Sequence, residues 1–186
     1  MSVEIARHRF TVEQYERMGE AGIFSEDDRV ELIEGEIVEM TPIGSRHAAY
    51  VDRLNDLLTS TLGRRAIVRV QSPIRIGGHS EPQPDLVLLR RREDFYAGRH
   101  PEPADVLLVV EVADTSGRFD RRVKLPLSAR AGIVEAWVLD LDGPALEVHR
   151  SPAPEGYRDV RRPRRGEAVT FAAVPDLSVA VDAVLG

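Results

Sequence analysis

Three residues of this chain have the types and the setting for metal-assisted hydrolysis: Asp85, Glu111 and Lys124. Two carboxylates offer the hard oxygen donors a small divalent cation prefers, and a nearby ammonium can hold a water or steady a developing negative charge. Asp85 follows Pro84 and opens the apolar run Leu86-Val87-Leu88-Leu89. Glu111 ends the run Val106 to Val110, whose unbroken, β-branched-rich character predicts a strand buried on both faces. An ionised carboxylate at such a place is costly unless something pairs with it. After the polar loop Ala113-Asp114-Thr115-Ser116, residues Arg118 to Ala131 read as a helix, with Asp120 and Lys124 four apart on one face. The expected arrangement is therefore two acids on neighbouring strands, with a lysine returned by the next helix. Spacing alone leaves a structural Glu111–Lys124 salt bridge equally open.

The elements that must position these groups can be read in order. Thr11 with Gln14 three residues on predicts a capped helix running to about Glu20 and stopping at Gly22. Arg29 to Met40, RVELIEGEIVEM, alternates apolar and acidic residues about Glu34-Gly35, a hairpin pattern. Ser45 to Leu62 repeats apolar residues at helical spacing and closes at Gly63. Strands are expected at Ala66 to Val70 and Ser72 to Ile76, and a second hairpin joins Ala136–Leu141 to Ala145–Arg150 about Asp142-Gly143. Pro126 should kink the helix that carries Lys124. The tail from Tyr157 reads as short strands at Ala168 to Phe171 and Ser178 to Val181. Strands dominate the middle and helices cover them, so the fold class is α/β or mixed α+β, in a single domain over 1–186.

Composition narrows the classes further. The 186 residues are 30% charged and 42% hydrophobic, ordinary for a globular domain, and no apolar run approaches the roughly 20 residues that cross a bilayer. The segment MSVEIARHRF lacks the apolar centre of a signal peptide, so a cytoplasmic location and no membrane partner are expected. Without cysteine there are no disulfides and no thiolate-held zinc. A net charge of −6 argues against a broad polyanion-binding surface, although Arg90-Arg91-Arg92 and the Arg161 to Arg165 stretch are local basic clusters.

Pro84-Asp85 followed by Glu111-Val112-Ala113 at the end of an apolar strand resembles the core of the PD-(D/E)XK nucleases, with alanine where the pattern puts lysine. The blocks ELIEGEIVEM, PQPDLVLL, DVLLVVEVADTS, DRRVKLPLSARAGI and EAWVLDL, in that order, are similar to the Uma-type restriction endonuclease family over roughly residues 10–180. The resemblance implies a restriction-endonuclease-like core, a central mixed sheet flanked by helices with added hairpins. It implies a DNA endonuclease dependent on Mg²⁺ or Mn²⁺, held by Asp85, Glu111 and the backbone carbonyl of Val112, with Lys124 as the migrated lysine.

It also brings two further candidates, Glu31 as an additional acid from the early hairpin and His47 at the first turn of the long helix. Residue chemistry alone leaves Glu31 either solvent-facing or aimed at a site, and an isolated histidine such as His47 is more often a surface or capping residue. Gln83 could reach the site or shape its loop, Trp137 is expected in the core, and Ser128 stands where the family usually has tyrosine. DNA is the implied partner, and a homodimer is expected because a duplex has two strands to cut. The competing reading is a catalytically silent module that keeps the fold and binds nucleic acid or protein.

Overall fold

The first hairpin forms as its alternation dictates. In the computed structural model, which describes residues 7–186 apart from 26 and 115, β1 (Val30–Ile33) pairs antiparallel with β2 (Glu36–Glu39). Glu34 and Gly35 both take positive φ, 50° and 82°, which is the two-residue turn the twist of a hairpin favours. The first six residues and Thr115 of the polar loop lie outside the described residues. Before the hairpin, α1 (Val12–Glu20) begins with the expected capping box between Thr11 and Gln14. After it come α2 (Ser45–Leu62), β3 (Ala66–Val70), β4 (Leu86–Arg90) and β5 (Val106–Ala113).

The helix after β5 is built in three joined pieces: α3 (Gly117–Phe119), a π-helical turn over Asp120–Lys124, and α4 (Leu125–Arg130). The expected kink at Pro126 is instead taken up one turn earlier. Proline has no N–H to return to the preceding turn, and the Leu125 N–H reaches back to the Asp120 carbonyl in the wider ring. Gly132, at φ 80°, ends the helix. Then follow β6 (Glu135–Asp140), β7 (Ala145–Ala153), β8 (Gly156–Arg161), β9 (Ala168–Phe171), β10 (Val174–Ala180) and α5 (Val181–Leu185).

Six strands form one mixed sheet in the order β3-β4-β5-β6-β7-β8. Every junction is antiparallel except β5–β6, where the π-bearing helix makes the crossover. Side chains alternate between two cores. Leu86, Leu88, Leu108, Val110, Val112, Trp137 and Leu139 share one with α2 and the C-terminal elements. Val87, Leu89, Val109, Ala113, Ala136 and Val138 share the other with Ile33, Leu125 and Leu127. By the period of two, Asp85 and Glu111 therefore point to the second face, the one covered by the Lys124 helix and the Glu31 hairpin.

Three expectations need correction. Ser72 to Ile76 is not a ladder strand: the N–H groups of Ile74, Arg75 and Ile76 bond to Pro82, Pro101 and Ser80 carbonyls, three different stretches of chain. The tail holds a helix, α5, where apolar residues suggested only strand, because Val181, Val184 and Leu185 are drawn into the core. The strand Ala145 to Arg150 and the apolar stretch Val179 to Leu185 are also, by sequence, candidate dimer surfaces, but β7 lies between β6 and β8, and Val179, Val181, Val184 and Leu185 are buried.

Candidate active site

The β4–β5 register pairs Leu86 with Val110 and Val87 with Val109, so one further step sets Asp85 opposite Glu111. Directly opposed residues on one face have Cβ atoms about 4.5–5.5 Å apart. Asp85 is further fixed by the Val112 N–H, which donates to its Oδ2 at 2.8 Å. In an extended strand a residue's N–H and C=O point to the same side, so the Val112 carbonyl also faces the Asp85 strand.

Lys124 reaches this pair from the π-turn. Its ammonium is 3.0 Å from Glu31 Oε1 and 3.5 Å from Glu111 Oε1, with only 8% of the residue exposed. It does not stand in solvent beside Asp120, whose Oδ2 instead accepts the Ser116 hydroxyl at 2.6 Å. Glu31 is fully buried rather than an exposed strand acid, because β1 turns its side chain under the hairpin. Its Oε1 also accepts the Gln83 N–H at 2.9 Å, so Gln83 both lines the cavity and shapes the loop. His47, at the start of α2, sets its Nε2 3.0 Å from Asp85 Oδ2, bridging 38 residues.

The electrostatics follow from four acids and one ammonium in a confined volume. Burial pushes the Glu111 carboxyl well above the usual range; Lys124 opposes this, while Asp120, Asp85 and Glu31 add to it. Burial likewise raises Asp120, against its Ser116 bond. Burial would raise Asp85 too, but the hydrogen bond and charge of His47, the Val112 N–H and Lys124 hold it below the ordinary carboxylate range. His47 is raised, first by its bond to Asp85. Burial works against the Lys124 charge, and the surrounding Glu111, Glu31 and Asp120 outweigh it, so the lysine stays an ammonium.

These groups line a cavity of about 500 Å³, together with the Val38 to Gly44 stretch and a second cation, Arg29. The donor set fits a hard dication. The acids outnumber the buried ammonium, and the buried Glu31 Oε2 has no hydrogen-bond partner among the described residues. No three acids of this cavity bring ligand atoms within 4.8 Å of one another, among the described residues, and Lys124 stands between Glu31 and Glu111.

Asp120, Ser116 and Arg29 were not legible as cavity residues. The Asp120–Lys124 spacing was visible in the sequence, but nothing in it tied Asp120 to the cavity. Glu34 is exposed and meets Arg130 at 2.6 Å, while Trp137 is wholly buried and stacked on Phe171. Ser128 is buried on α4 without reaching the cavity lining.

A family model described as "Uma2: Putative restriction endonuclease" matches residues 12–182. Among solved structures, one described as a "putative nuclease belonging to DUF820 from Anabaena variabilis ATCC 29413" superposes with a TM-score of 0.74. It is 14% identical, and the match covers 95% of this chain and 97% of that one, a likeness of fold. No curated protein matches the chain.

Proposed function

Because the chain belongs to the Uma2 restriction endonuclease family, we propose that its cavity hydrolyses DNA phosphodiester bonds with a divalent metal ion, Mg²⁺ or Mn²⁺. The observation that carries this reading is the opposition of Asp85 and Glu111 on one sheet face with the Lys124 ammonium 3.5 Å from Glu111. Asp85, Glu111 and the Val112 carbonyl would hold the ion. It would supply charge neutralisation at phosphorus and a more acidic water.

The protein's own groups divide the remaining work. Glu31 fixes the Lys124 ammonium by a charge-assisted hydrogen bond, so that its other protons face the cavity. There Lys124 holds the attacking water or a non-bridging phosphate oxygen. His47 and the Val112 N–H lock the Asp85 carboxylate in its ionised form and in one rotamer. Arg29, which also lines the cavity, suits a neighbouring phosphate. Water oxygen bonds to phosphorus, one P–O ester bond breaks, and the products are a phosphate monoester and an alcohol.

A cytoplasmic setting and a two-fold pair of chains, each cutting one strand, complete the reading. The test is incubation of supercoiled plasmid with the protein and Mg²⁺ or Mn²⁺. Nicked and linear products that EDTA abolishes are expected. Plasmid bound but uncut under all ions would favour the catalytically silent nucleic-acid-binding module.

A further inference from the structure

We infer that Glu16, Glu81 and His100 form a second metal site, separate from the cavity, that takes a Zn²⁺-like transition dication and staples α1 to the chain behind the candidate active site. One ligand atom from each of the three lies within 4.8 Å of the other two. None of the three lines the cavity.

Each comes from a tethered element. Glu16 sits on α1, which is anchored by the buried Val12 and by the Val12 N–H to the Gly78 carbonyl at 2.9 Å. Glu81 is pinned by its own N–H to the Leu32 carbonyl at 2.7 Å. His100 is exposed, but its neighbour Pro101 accepts the Arg75 N–H at 2.8 Å, which ties the loop to the same stretch of chain.

Proximity of acids alone would mean little; the state of Glu81 adds the second observation. It is only 5% exposed, and its Oε2 has no hydrogen-bond partner among the described residues. A buried carboxylate oxygen without a donor is costly. The nearby cation, Arg75, is already engaged by Glu13.

One imidazole nitrogen with two carboxylates is a zinc-type ligand set that leaves a fourth position for water, whereas Mg²⁺ favours oxygen donors alone. Rotation of Glu16 and the exposed His100 can close the three donors to the about 2.0–2.2 Å that zinc requires. An ion there would also stiffen the Glu81–Leu32 clasp, one residue from Glu31, the partner of Lys124.

Calorimetric titration of chelator-stripped protein with ZnCl₂ tests the site, using Glu111→Gln to weaken binding in the cavity. One equivalent of Zn²⁺ should still bind to Glu111→Gln. Adding His100→Ala, or Glu16→Gln in its place, should weaken that binding at least about tenfold, since even indirect partners of a metal are worth that much. His100 is exposed, so its loss leaves the fold intact, checked by circular dichroism. Equal affinity with and without His100, or no saturable binding to Glu111→Gln, would overturn the proposal without touching the nuclease reading.

Discussion

Lys124 Nζ lies 3.0 Å from Glu31 Oε1 across 93 residues of sequence, and Glu31 is wholly buried. Removing one partner of a buried pair strands the other charge, at a cost of about 3–5 kcal/mol. Lys124→Met should therefore lower stability by that order in urea denaturation. Its cleavage rate should fall ~10² to 10⁴-fold, the range of a positioned proton-handling group, with metal binding largely retained. A folded Lys124→Met chain that cleaves like the native one would reduce the lysine to a structural role.

Glu111 should behave in the opposite way. A raised folded-state pKa means the native chain binds more protons than the unfolded one above the ordinary carboxylate value of about 4.3. Its stability contribution thus falls as pH rises through that raised value. Glu111→Gln has no such charge, and Lys124 keeps Glu31. Without metal, the variant should melt above the native chain at pH 8, the gap narrowing toward pH 5. Added Mg²⁺ should raise the melting temperature of the native chain only. A structural salt bridge predicts instead a clear loss of stability in Glu111→Gln.

The His47–Asp85 contact sets a second pH window. His47 is raised, so its contribution is full below about 6.5 and is lost as pH climbs through its folded value. Asp85 is lowered, so its contribution is full above about 3.9 and is lost as pH falls. The native chain should exceed His47→Ala most between those limits, by about 1.5 kcal/mol for a charge-assisted bond. Chemical denaturation at pH 5.5 and pH 9 checks this; a gap that widens at pH 9 would contradict it.

The sheet was legible because its strands announce themselves locally: Val106 to Val110 and Leu86 to Leu89 are apolar runs that no amphipathic helix would carry. Opposing Asp85 to Glu111 followed from one acid opening its apolar run and the other closing its own. His47 was visible as a candidate only through family resemblance, and Glu31 as a hairpin acid that could face solvent or a site, since their partners lie 38 and 93 residues away. The π-turn was hidden because the sequence shows Pro126 but not which upstream turn absorbs its missing N–H. Ser72 to Ile76 misled because β-branched Ile74 and Ile76 look strand-like, whereas Pro73 and the scattered partners of their N–H groups prevent a ladder.

The central claim, that opposed Asp85 and Glu111 make a metal-dependent phosphodiesterase, is tested most directly by plasmid cleavage. Native chain and Glu111→Gln, both shown folded by circular dichroism, are compared on supercoiled DNA in Mg²⁺ and in Mn²⁺. Nicking by the native chain that EDTA stops, and a rate at least ~10²-fold lower in Glu111→Gln, are the predicted results. Equal cleavage by the two proteins, or none by the native chain with either ion, would contradict it.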